Sequence, residues 1–328
     1  MISTFRVLFT AALAAVSSAT LVAGSLGCAS LAVATAPSKA AVVDDSPAAK
    51  SAEGAFWSTL HAGRYDDIGP AMEQLEGAYL AHPNDARTAA HIAFLHIWRV
   101  SERLRKPEQH ATITDDIALA RRYFQEAVAL APDDPRFRGF LAASMLGEGK
   151  IHADEKLTRR GFFAMGDAVD AWPEFNLFTR GYVMSQLPVD DAKYKDALDD
   201  QWRTLDVCAE AHVDRHDPDF SPFMAKDTKT GWKRVCWNSW IAPHNLEGFF
   251  LNMGDMLVKD GDTTTAKKIY AQAKLSSDYA SWPYRDVLER RIAEADQNVA
   301  PFRAPPKGDG ERTLMVASRF SCTGCHQQ

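Results

Sequence analysis

Residues 245–278 read NLEGFFLNMGDMLVKDGDTTTAKKIYAQAKLSSD. Phe250, Met253, Gly254 and Leu257 recur at helical spacing and line one face of a first helix. Ala266, Tyr270 and Ala273 line one face of a second, and Gly261-Asp262 marks the tight turn between them. Small residues stand where two helices cross closely, and a large one fills the gap before the next crossing. The stretch therefore predicts a packed helix pair.

The second half of this pattern recurs upstream as Ala71-Leu75-Ala78-Pro83, Ala120-Phe124-Ala127-Pro132 and Gly161-Met165-Ala168-Pro173. The 245–278 stretch resembles the tetratricopeptide repeat, whose pattern runs W-x2-L-G-x2-Y, then A-x3-F-x2-A, then Pro. Phe250 stands in place of the Trp and Asp278 in place of the Pro. The other first halves are degenerate and the spacing is irregular, so these are repeat-like pairs rather than consensus repeats. A plain helical bundle shares the small-large-small spacing and remains the alternative. Alternating strand pattern is almost absent, and the resemblance, covering about 52–298, implies an all-α helix-pair solenoid.

One gap interrupts it at 211–242, AHVDRHDPDFSPFMAKDTKTGWKRVCWNSWIA. A loop this long without helical period is uncommon in a compact domain unless it has a task. It carries Trp232, Trp237 and Trp240, with His244 just beyond. Two readings stand: a hydrophobic plug under a loop, or one wall of a pocket for a flat aromatic ligand.

The N-terminus reads as an export signal over 1–27: Arg6, the apolar run VLFTAALAAVSSATLVAG, then small residues. SLGC at 25–28 resembles a bacterial lipoprotein box, which implies lipidation of Cys28 and an outer-membrane anchor facing the periplasm. Ordinary cleavage at Ala32-Val33-Ala34 is the alternative. A low-complexity tether follows over 28–50, then the helical domain at 51–300, then a Pro/Gly linker and tail at 301–328. Net charge is −6 with no basic run, which excludes a nucleic-acid partner.

The chain closes on SCTGCHQQ. Cys322, Cys325 and His326 form the C-x-x-C-H pattern of c-type haem attachment. At i, i+3 and i+4 they share one face of a helix, so two thioethers and an axial imidazole can reach one porphyrin from one side. Zinc wants more ligands, and a C-x-x-C redox pair wants a thioredoxin-like fold that is not visible here. In ordinary cytochromes c, which the motif resembles, the chain after the motif covers the haem. Here only Gln327 and Gln328 follow, so the helical body is expected to cover it. His244 is the speculative distal ligand, with His212, His216, Met224 and Met253 as rivals.

Five cysteines are then distributed. Lipid takes Cys28 and one haem c takes Cys322 and Cys325, leaving Cys208 and Cys236 for a disulfide in an oxidising compartment or as two buried thiols. The function expected is electron transfer with a protein redox partner docked on the concave face of the repeat body. A protein-protein assembly scaffold and a haem peroxidase with an open distal site are the alternatives.

Overall fold

The computed structural model describes residues 30–103, 110–304, 314 and 320–328. Residues 1–40 and 41–328 form separate units. The stretch expected to be an export signal and Cys28 lie outside the described residues, as does most of the 305–319 stretch. Of the first unit, 30–34 form a short exposed helical stretch that includes Ala32-Val33-Ala34.

The second unit is all-α, with no sheet among the described residues. Its first ten helices are α1 (Pro47–Ala62), α2 (Ile68–Ala81), α3 (Ala86–Glu102), α4 (Asp115–Leu130), α5 (Pro135–Ile151), α6 (Glu155–Ala171), α7 (Pro173–Met184), α8 (Ala192–Ala209), α9 (Asn245–Asp260) and α10 (Thr263–Gln272). They pack as five successive pairs, α1/α2 through α9/α10, each leaning on the next, which makes a helix-pair solenoid. Two further helices, α11 (Arg285–Ala293) and α12 (Ala295–Arg303), back the last pair, and α13 (Cys322–His326) is the tail. The helical body begins at Pro47, inside the stretch expected to be tether. Ser46 caps it by accepting from the Ala49 amide, which supplies one of the bonds a helix start lacks.

The small-large-small residues form the crossings. Ala120, Phe124 and Ala127 are fully buried, as are Ala266, Tyr270 and Ala273. Burying each large side chain contributes about 1.5–3 kcal/mol. Gly254 marks the tightest approach in the last pair: a β-carbon there would come within 2.3 Å of the Tyr270 ring. Among the acidic doublets, Asp134 and Asp191 cap α5 and α8. Asp199-Asp200 lies inside α8, where buried Asp200 holds Arg180 through two bonds of 2.5 and 2.6 Å.

The 211–242 segment is irregular, with 3-10 turns at Ser221–Lys226 and Trp232–Cys236. A disulfide joins Cys208 at the end of α8 to Cys236. Its tryptophans divide. Trp237 is buried in the main core, Trp240 is 63% exposed, and the exposed Trp232 packs edge-on against Trp172.

Candidate functional site

The tail lies on the face formed by the first helices of the pairs. Phe320 is buried parallel to Trp98 of α3 at 5.0 Å and edge-on to Phe94 at 6.0 Å. The amide of Ser321 donates to the Tyr182 hydroxyl of α7 at 3.1 Å, and Asn252 of α9 reaches the Ser321 hydroxyl at 3.4 Å. Trp282 Nε1 donates to the Gly324 carbonyl at 2.8 Å, and the His244 amide donates to the Cys325 carbonyl at 2.9 Å. Tyr284 holds Gln327, and the Gln328 amide donates to the His61 carbonyl at the end of α1. The backbone groups of a short helix cannot satisfy themselves, so partners drawn from α1, α7, α9 and the 282–284 turn fix it in place.

Room for this docking is set by Gly248 on α9. A β-carbon built there would stand 2.4 Å from Cys325 Sγ and 2.8 Å from the Gly324 carbonyl. Cys325 is buried against this gap, while Cys322 packs partly buried beside the aromatic cluster of α1 and α3. Burial pushes the Cys322 thiol up to about 12 and raises that of Cys325 as well. Both stay protonated at neutral pH. A reactive redox pair needs the opposite shift, toward thiolate.

His326 is half-buried. Its Nδ1 lies 2.6 Å from the Ile241 carbonyl, so Nδ1 carries the proton and Nε2 remains as a lone-pair donor. Burial, with His61 close by, lowers its pKa to about 4 despite the opposing pull of that carbonyl. A neutral imidazole oriented by a backbone acceptor is the arrangement metal-ligating histidines use. His61 Nε2 approaches the same carbonyl at 3.3 Å, and Trp57 lies against the His326 ring at 6.4 Å. Trp57 Nε1 and Trp98 Nε1 are buried without hydrogen-bond partners.

These features fit a c-type haem. Cys322, Cys325 and His326 share one helical turn, the imidazole presents the nitrogen that a haem iron would take, and two indole donors near the tail lack a polar partner. Among the described residues no three His, Cys, Asp or Glu side chains converge as a bare metal ion requires.

The proposed distal residues scatter. His244 sits at the start of α9 with 4% exposure, its Nδ1 3.2 Å from Glu247. It is the only one of the five that hydrogen-bonds the tail. Met224 lines a groove beside it, and Met253 is sealed in the core. His212 is exposed against Asp206, and His216 lies in the loop. Trp57, His61, Tyr182, Trp282 and Gly248 were not found from sequence. Only Gly248, a glycine inside a strong helical pattern, carried a signal of close approach. Comparisons with protein-family models, curated proteins and solved structures give no match.

Docking of the haem-free tail depends on pH, and the sign follows from His326. Its docked pKa lies near 4, below the ordinary 6.5. Between those values the undocked tail binds more protons, so the docking free energy is fully present above about 6.5 and is lost as pH falls toward 4. His61, also lowered chiefly by burial, acts in the same sense. The expected loss is on the order of 2 kcal/mol after screening. It will appear as rising reactivity of Cys322 and Cys325 toward 4,4′-dithiodipyridine between pH 6.5 and 4. A flat profile would remove His326 as the acid-sensitive contact.

Proposed function

We propose that this chain is an exported, lipid-anchored monohaem c-type cytochrome that passes electrons to and from a protein partner. Its helix pairs resemble tetratricopeptide repeats and serve as the cover that an ordinary cytochrome builds from the chain after its motif. The observation that carries this reading is the docked His326, with Nδ1 spent on Ile241 and Nε2 free for a metal.

Cys322 and Cys325 would hold the porphyrin through thioethers and His326 would be the proximal ligand. A bound haem supplies one-electron ferric–ferrous chemistry. The protein supplies orientation and exclusion of water. Ile241 and its neighbours fix the imidazole, while Trp98, Phe94 and Phe56 keep the tail's apolar side dry. Because Cys325 Sγ lies against Gly248, the thiols would be reached on a tail that is off the body. Trp240, exposed and 5.2 Å from Trp57, links the His326 surroundings to the surface where a partner would meet the protein.

The test is expression in a host able to attach c-type haem, followed by a pyridine haemochrome and a haem-stained denaturing gel. The wild-type chain is expected to retain haem through denaturation, and Cys322→Ser/Cys325→Ser to lose all covalent haem. Absence of haem from the wild-type chain would overturn the proposal and leave an assembly scaffold. A high-spin ferric spectrum that binds cyanide would redirect it to a peroxidase.

A further inference from the structure

A groove of about 670 Å³ opens beside the start of α9, floored by Trp237, His244 and Leu246. Its chemistry is set by a buried relay. Glu247 is fully buried and accepts from Ser276 Oγ at 2.7 Å and Asn238 Nδ2 at 3.0 Å. Its Oε1 also faces His244 Nδ1 at 3.2 Å. In the neutral ring a carboxylate at that nitrogen holds the proton on Nδ1 and leaves Nε2 as an acceptor. His244 is 95% buried as a side chain, lines the groove, and its Nε2 has no hydrogen-bond partner in the protein. Water can reach that nitrogen from the groove, so a ligand donor placed there would take over the hydrogen bond that water makes.

The rest of the groove selects what carries that donor. Trp240 presents an exposed indole at the mouth, with Met224 and Leu275 as further apolar surface. Lys229 is drawn onto Asp227 and the two cancel, which leaves Asp278 on the polar rim to disfavour an anion. The volume is within the usual range for small-molecule sites.

We propose that this groove binds a small neutral hydroxyaromatic, of the phenol class, with its hydroxyl donating to His244 Nε2 and its ring against Trp240. The site goes beyond haem attachment, and the docked tail is part of it: Gln328 lines the groove and the His244 amide donates to the Cys325 carbonyl.

The experiment is calorimetric titration of the full-length mature protein with phenol, anisole and benzylamine, repeated on His244→Ala and Trp240→Ala. Phenol should bind about tenfold more tightly than anisole, which has the ring but no donor. His244→Ala should abolish that preference, and Trp240→Ala should weaken both ligands while keeping it. Equal binding of phenol and anisole, or no phenol binding, would overturn the proposal. So would tighter binding of benzylamine, which would make the groove a cation site. Because Trp240 is exposed, its variant keeps the test decisive should His244→Ala loosen the tail.

Discussion

Replacing Gly248 with valine will detach the tail from the helical body. The position lies in the first turns of α9, and the tail passes so close that even a β-carbon would meet Cys325 Sγ at 2.4 Å and Gly324 at 2.8 Å. The obstacle on the Gly324 side is backbone, which has no rotamer with which to retreat. The loss of docking should reach about 3 kcal/mol, on the order of a hundredfold in the population of the open form. The helix pairs should survive, because valine is a modest helix former and the collision lies outside the solenoid core. The measurement is thiol reactivity of the haem-free protein at neutral pH. Cys322 and Cys325 should change from protected to nearly as reactive as in the free peptide, with helical circular dichroism unchanged. Gly77→Val is the control: it is an exposed helical glycine with nothing near its absent β-carbon, and it should leave the thiols protected. Unchanged protection in Gly248→Val would mean that the tail is not held against α9.

What could be read from the sequence was local. The motif at 322–326 needs only its own spacing, and the helix pairs declared themselves wherever Ala-x3-large-x2-Ala kept its form. The α7/α8 pair did not, because Tyr194, Ala197 and Gln201 replace that pattern and Gly181 supplies the close approach from the opposite helix. The role of Asp200 was illegible for a related reason: only the facing Arg180 shows that it is half of a buried ion pair. The tail's seat was illegible because its contacts come from α1, α3, α7 and α9, which sequence alone cannot bring together. Of the 211–242 tryptophans, Trp237 is buried in the main core and the exposed Trp240 lines a groove beside it, a division that needs the fold to be seen.

Phe320→Ala should be nearly as damaging as the Gly248 change, for the opposite physical reason: it removes attraction rather than adding a collision. Phe320 is 1% exposed, stacked parallel on Trp98 and edge-on to Phe94. Truncating a buried phenylalanine costs about 3–5 kcal/mol. The polar contacts of the tail, such as Trp282 to Gly324 and Ser321 to Tyr182, contribute about 1 kcal/mol each because water offers the undocked tail equivalent bonds. Phe320 therefore supplies the affinity, and the hydrogen bonds supply the register that places His326 under Ile241. Thiol protection separates the two roles: Phe320→Ala should expose Cys322 and Cys325 by two orders of magnitude or more, whereas Trp282→Phe should expose them by about tenfold or less. The attachment motif is intact in both variants, so a haem-loading host should still modify each chain. On the haem reading proposed above, only Phe320→Ala would then give an absorption spectrum that changes with added imidazole, because an iron held by its undocked tail would be open to solvent. Equal and small effects of the two substitutions would mean that the docked tail is held by its polar contacts, and the aromatic cluster of α1 and α3 would lose its role as the cover.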